Sequence, residues 1–339
     1  MKYFNFFAVA ILLVSSCSKN EAQNLPQVPA TRLFIKGADC SWITQQEAEG
    51  IKFYNSNGVE TEGMALLKSQ GINLIRLRVW VNPTGNYNTM QDVLLKAKRA
   101  TALGLQLLID FHYSHTWADP SQQAIPTSWA GQNLEQLKTS VYNHTTAQLQ
   151  LLKDNNISPT YVQIGNETNN GMLWPIGQAT TSMSAFTQLF NSGCEAAKSI
   201  FPNTKVMFHV SNGYNAALSQ WLLDGITNNQ AKFDCVGLSL YPSPTNWQTY
   251  TSQCITNINN IIARYNKPVM IAEIGMPHDS PNECKQFIQS LIAQSIAIPN
   301  NNALGVVYWE PQCYNNWQGY SLGAFSTNGR PTVALQGFQ

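Results

Sequence analysis

Eight short apolar runs recur along the chain, and stretches with helical spacing separate them. The runs occupy 33–39, 73–80, 105–112, 161–164, 205–210, 234–240, 268–272 and 304–309. They are mostly continuous rather than alternating, as expected of strands covered on both faces. Helical spacing marks 62–70, 92–103, 134–153, 182–200, 216–227, 249–265 and 282–298, and a short helix or coil ends the chain. Gly71 and Gly104 stop the first two of these stretches, and Pro202 follows the fourth. Such alternation builds parallel βαβ units. Eight units in roughly 300 residues predict an α/β fold, a single (β/α)8 TIM barrel, over an open doubly wound sheet. No Gly-x-Gly-x-x-Gly follows the first run, which argues against a dinucleotide site. No interdomain linker is visible, so 32–339 reads as one domain.

The residues that close the runs carry the functional signal. They are Asp39; Arg76, Arg78 and Trp80; Asp110 and His112; Asn166 and Glu167; His209; Tyr241; Glu273; and Trp309 with Glu310. The carboxyl ends of barrel strands form the active face, whereas the opposite face needs no such ring. Singly, Asp39 or Asp110 could cap a helix and Arg76 could serve one carboxylate. Together they argue for a site. Glu167 follows the run at 161–164 and Glu273 the run at 268–272. Two carboxylates, each closing a buried strand, are the minimum equipment for cleaving a glycosidic bond.

Charge narrows the partners. Net charge is +1 and only 12% of residues are charged, with no basic run, which excludes nucleic acid as the expected partner. Nine Trp and thirteen Tyr supply flat apolar faces of the kind that stack on sugar rings, though most aromatics in any protein are core. Nothing calls for a second subunit, so a monomer is expected, and no cofactor is implied.

The N-terminus reads as an export signal. Lys2 precedes an apolar stretch over 4–14 that is too short to span a bilayer and ends in Val14-Ser15-Ser16-Cys17. This resembles a bacterial lipoprotein signal over 1–17, with Cys17 as the lipidated residue; the plainer alternative is a secretory signal with an incidental Cys. Acyl chains would anchor the protein to the outer membrane, on its periplasmic side or at the cell surface, without spanning it. Residues 18–31, polar and holding Pro26 and Pro29, read as a flexible tether. Export permits disulfides among the remaining six cysteines, whose spacing matches no zinc pattern. Cys194 and Cys235 lie in apolar runs and read as buried thiols. Cys284 and Cys313 fall in regions read as loops and could pair.

The chain resembles glycoside hydrolase family 53, the endo-β-1,4-galactanases. The matching stretches are Lys36-Gly37-Ala38-Asp39 with Ser41-Trp42, the segment Arg76 to Pro83 (RLRVWVNP), and Asp110 to Ser114 (DFHYS) continuing through Thr116-Trp117-Ala118-Asp119-Pro120. Ile164-Gly165-Asn166-Glu167, Gly171 to Pro175 (GMLWP), Tyr241-Pro242, Ala272-Glu273 and Tyr308-Trp309-Glu310-Pro311 complete the pattern. The resemblance implies a retaining mechanism on the β-1,4-galactan side chains of pectin. Glu167 would be the acid/base and Glu273 the nucleophile, kept ionised by Arg76 and Tyr241. Asn166 would bind the sugar 2-hydroxyl; Asp39, His112 and His209 would orient groups around that sugar; Trp309 and Trp117 would stack; Arg76, Asp119 and Tyr241 would join the substrate contacts.

Two departures from the family pattern stand near the active face, His115 and Ser211-Asn212. No Asp or Glu follows Glu310, which argues against the calcium site of some bacterial relatives, so no metal is expected. A Cys284–Cys313 disulfide could staple the last two loops instead. Competing readings are a related barrel glycanase on mannan, cellulose or xylan, and a lipoprotein that binds glycans without cutting them. The second predicts loss of one catalytic carboxylate, and both are present.

Overall fold

The computed structural model describes residues 1–3 and 33–339. The expected signal segment beyond residue 3, the lipidation site Cys17 and the tether at 18–31 lie outside the described residues. Phe34–Gln339 forms one folded unit.

Eight parallel strands close on themselves in chain order. They are β1 (Ile35–Asp39), β2 (Leu74–Val79), β3 (Gln106–Phe111), β4 (Tyr161–Ile164), β5 (Lys205–Val210), β6 (Cys235–Leu240), β7 (Val269–Ile274) and β8 (Ala303–Trp309). β8 returns to β1, with Val307 opposite Gly37. Around them run α1 (Ile43–Ala48), α2 (Gly63–Ser69), α3 (Met90–Ala102), α4 (Leu134–Asp154), α5 (Met183–Ile200), α6 (Ala216–Asn228), α7 (Trp247–Tyr265) and α8 (Pro281–Ile296). The barrel expected from the sequence is therefore the fold observed. The helix starts have local causes. Asn133 and Gln136 exchange side-chain and backbone hydrogen bonds at the head of α4, a full capping box. Glu62 accepts from the Ala65 N–H at the head of α2.

One helix differs from expectation. Helix α1 was not legible: its six residues span too few turns to show a period, and no side chain caps it. The chain ends in a 3-10 helix, Val333–Phe338, that lies against α8, so closely that a Cβ on Gly337 would come 2.7 Å from Ile288 Cβ. Among the described residues no helix is long and apolar enough to cross a membrane.

Period two along the strands explains how the barrel is filled. Leu74, Leu108, Tyr161 and Met207 belong to the apolar cluster inside the barrel. Two residues onward on the same face stand Arg76, Asp110, Gln163 and His209, all fully buried. A dry apolar plug thus carries a polar layer directly above it, toward the carboxyl ends of the strands.

The seventh strand breaks the rule. Met270 and Ala272 both face the interior, so plain alternation would aim Glu273 outward at the helices. The register slips by one residue here: Leu238 opposes Ile271, but Ser239 opposes Glu273. The extra residue is a bulge, which re-aims the next side chain. Glu273 enters the lumen, and Ile274 joins the outer core. The strand accordingly extends to Ile274, beyond the expected end at 272.

The expected pairing of Cys284 with Cys313 is not formed, and both are buried free thiols. Cys284 lies in the first turns of α8 rather than in a loop, with its Sγ 3.6 Å from the Tyr308 hydroxyl. Cys313 Sγ accepts from Gln46 Nε2 at 3.2 Å. Each sulfur is packed against a different partner, and buried thiols of this kind behave as small apolar groups. Cys194 and Cys235 are buried, as expected.

Candidate active site

Arg76 organises the polar layer. Its Nη1 lies 2.8 Å from Asp39 Oδ2, and its Nη2 lies 2.8 Å from Asp110 Oδ2 and 2.9 Å from Glu273 Oε1. Its remaining donors reach Gln163 Oε1 and Asn166 Oδ1. Asp39 also accepts from the Ser41 N–H and hydroxyl, which ties the layer to the loop after β1. A rigid guanidinium fork suits this task, because its five donors can serve several acceptors at fixed angles.

Glu273 is 5% exposed. Burial pushes its carboxyl up, and the Arg76 charge and the Tyr241 hydroxyl oppose that rise. Tyr241 donates to Glu273 Oε2 at 2.8 Å. Burial keeps the Tyr241 phenol protonated, so it remains a donor.

Glu167 has a different environment. The chain leaves β4 through Gly165, whose φ is +76° and where a Cβ would lie 2.6 Å from Thr168 Cγ2. Glu167 itself has φ of +44°, a left-handed conformation that costs a non-glycine residue about 1 kcal/mol or more. His209 holds that turn in place: its carbonyl accepts from both the N–H and the hydroxyl of Thr168. The Glu167 carboxyl has no cation in direct contact among the described residues. It is pushed up to about 8, first by burial and then by the charge of Glu273, with Ser239 opposing by a hydrogen bond.

Two histidines complete the layer. The backbone N–H of Glu167 donates to His209 Nδ1 at 3.2 Å, and Gln163 Nε2 lies 3.0 Å from the same atom. Asn166 Oδ1 also lies 3.0 Å from that nitrogen. Burial, then the nearby Arg76 and His112, push the His209 imidazole well below its usual range. His112 receives the Trp80 indole N–H at Nδ1, 3.4 Å, and directs Nε2 to Asp110 at 2.9 Å.

A cleft of about 460 Å³ opens above this layer. Glu167 and Glu273 share its wall with His112, Trp117, Asp119, Asn166, Tyr241 and Trp309, all expected from the sequence. Asp39, Arg76 and His209, expected among the substrate contacts, lie instead fully buried beneath the floor. They act on the cleft through the residues above them. Asp119 is bonded within its own turn to Ser121 and Gln122. Of the two departures, Ser211 and Asn212 line the cleft, while His115 is not among its lining residues.

The sequence reading missed four participants. Gln163 and Ser239 face the lumen, and a polar residue at period two within an apolar strand was a usable signal for both. Tyr320 and Leu322 line the cleft from the segment after β8, where nothing local marks them. Trp309, Trp117 and Tyr320 form an aromatic wall packed edge-on around Trp42, at centroid distances of 5.0, 5.6 and 5.8 Å. Behind it the Arg78 guanidinium lies 4.6 Å from the Trp117 ring centroid and 2.7 Å from Glu310.

A parallel barrel whose carboxyl-terminal mouth holds two unlike carboxylates beside a wall of indole rings has the make-up of a glycoside hydrolase. Comparison with known proteins narrows that class: the chain belongs to glycosyl hydrolase family 53, whose profile matches residues 35–338. It is 33% identical over 336 residues to an arabinogalactan endo-beta-1,4-galactanase of Thermothelomyces thermophilus, covering 91% of this chain and 99% of that protein. Another enzyme of the same name, from Humicola insolens, is 33% identical over 306 residues, covering 84% of this chain and 91% of its own. Among solved structures, a fungal beta-1,4-galactanase superposes with a TM-score of 0.83 at 30% identity, covering 90% of this chain and 98% of that chain. The family 53 catalytic domain of Ignisphaera aggregans superposes with a TM-score of 0.82 at 31% identity, covering 90% and 95%.

Proposed function

We infer that this protein is an endo-β-1,4-galactanase that cleaves β-1,4-galactan with retention. The observation that carries the chemistry is the contrast between the two glutamates on one cleft wall. Glu273 sits on a guanidinium and a phenol, so it ionises first. Glu167 has burial and a carboxylate neighbour, so it holds its proton toward neutral pH. That is the division of labour a double displacement requires.

In the first step Glu273 attacks the anomeric carbon while Glu167 protonates the departing glycosidic oxygen. In the second, Glu167 takes a proton from water, whose oxygen displaces Glu273 from the same carbon. Asn166 sits at the cleft edge with its Oδ1 held by Arg76 and Gln163, and its Nδ2 donating to the Ala118 carbonyl. This supports its role toward the sugar 2-hydroxyl. Trp309 offers a ring face to the apolar side of a galactose, and Trp117 to a neighbouring sugar.

The Val14-Ser15-Ser16-Cys17 sequence supports export and lipid anchoring through Cys17. A lipid-anchored galactanase of this kind acts on the galactan side chains of pectic polymers. The deciding experiment is a product profile on linear β-1,4-galactan, with β-mannan and carboxymethylcellulose in parallel. Galacto-oligosaccharides of several lengths are expected from galactan alone. Release from mannan or carboxymethylcellulose alone would reject the substrate.

A further inference from the structure

We propose that Ser211 determines specificity on the leaving side of the cleft: its hydroxyl donates to the galactose that departs with the proton of Glu167, and Asn169 is the positioning residue that aims it. This rests on the reading of the protein as a galactanase with Glu167 as its acid/base.

A reciprocal pair of hydrogen bonds sets the aim. The Ser211 backbone N–H donates to Asn169 Oδ1 at 2.9 Å. A peptide N–H can only donate, so its amide partner is the oxygen and the other amide atom is the nitrogen. Asn169 Nδ2 then donates to Ser211 Oγ at 2.5 Å. The serine oxygen accepts in that bond, and its own hydrogen takes no part. Among the described residues the Ser211 hydroxyl donates to no other group. Ser211 is only 5% exposed, and the space it lines is the cleft. An oxygen within the cleft is therefore the acceptor left for that hydrogen.

The barrel decides which sugar meets it. Glu167 follows β4, and Ser211 follows the neighbouring strand, β5. The two segments stay joined beyond the strands. The Thr168 N–H donates to the His209 carbonyl at 3.0 Å, and Asn169 and Ser211 pair next. The Asn169 N–H also donates to the Glu167 carbonyl at 2.7 Å, so the serine is tied to the turn that presents the acid. Trp309 ends β8, four strands from β4 in a ring of eight and so on its far side. The sugar kept on Glu273 stacks against that indole. The sugar that takes the Glu167 proton lies on the β4–β5 side, within reach of Ser211, and its oxygens offer lone pairs. An aspartate at 211 could only accept from it, whereas a serine donates. Position 211 is one of the places where the chain leaves the family pattern, so this donor is a feature of this chain.

The test compares wild type, Ser211→Ala and Asn169→Asp on β-1,4-galactotetraose and on phenyl β-galactobioside. Both leaving groups need a proton, but only the first is a sugar. For Ser211→Ala, kcat/KM should fall roughly 3–10-fold on the tetraose, the range of one hydrogen bond between neutral groups, and far less on the phenyl substrate. The ratio of the two does not depend on how much of the variant folds. Asn169→Asp still accepts from the Ser211 N–H, but its second oxygen now draws the serine hydrogen away from the cleft. The same selective loss is expected there with the serine intact. Rates are compared below the alkaline limb, where Glu167 stays protonated despite the added charge. A tetraose-to-phenyl ratio unchanged in Ser211→Ala would overturn the contact, and one unchanged in Asn169→Asp would overturn the aiming role of Asn169. If wild type cleaves neither substrate, it is the galactanase reading that fails.

Discussion

Arg76 Nη2 stands 2.9 Å from Glu273 Oε1, and the same guanidinium also holds Asp39 and Asp110. Three carboxylates around one cation leave the layer short of positive charge, so its removal is felt by all of them. Arg76→Met should destabilise the protein by about 3–5 kcal/mol in urea denaturation, the usual cost of orphaning buried charge. Arg76→Lys keeps a charge but not the fork. In that variant the acid limb of kcat/KM should shift upward, since Glu273 loses a partner that holds it ionised. An unmoved acid limb would show that Arg76 does not set the charge of Glu273.

Glu273 and Glu167 should answer differently to replacement. Glu273→Ala is expected to lose about 10⁴–10⁶-fold in kcat on galactan, the scale seen when a nucleophile is removed. Azide should then restore turnover of an activated aryl galactoside to give the α-galactosyl azide. Glu167→Ala should instead give the β-azide, because azide attacks an intact galactosyl-enzyme. Product analysis by NMR reads the anomeric configuration. Swapped configurations would mean swapped roles.

The Glu167 carboxyl, pushed up to about 8, also leaves a mark on stability. A carboxyl with a raised folded pKa is protonated more readily in the native state than when unfolded. Its contribution is complete below its unfolded pKa and is lost as pH rises toward 8. Glu167→Gln is neutral throughout, so the melting temperature of this variant should match wild type near pH 4 and exceed it near pH 9. The same titration removes the catalytic proton, so wild-type activity should decline above about pH 8. Parallel melting curves across that range would count against the raised carboxyl.

Cys284 and Cys313 are free thiols held by Tyr308 and Gln46 respectively. Unfolding in denaturant with iodoacetamide and no reductant should alkylate both. Peptide mass mapping reads the outcome, and a linked pair of peptides in its place would contradict the packing seen here.

Much of this protein was written locally. The βα alternation, most strand and helix bounds and the polar residues that follow the strands are short-range patterns, since burial on one face imposes a period on neighbouring residues. The pairing of Glu167 with Glu273 on one active face was legible for the same reason, once the barrel was inferred. Tertiary structure alone decided the rest. Whether Glu273 faces the lumen depends on a bulge set by two neighbouring strands. Which carboxylates Arg76 serves, and that Asp39 and His209 lie under the floor rather than in the cleft, depend on residues brought together from distant strands. The fate of Cys284 and Cys313 turned on packing against Tyr308 and Gln46. Periodicity is a property of a segment, whereas hydrogen-bond partners and side-chain contacts belong to the closed barrel.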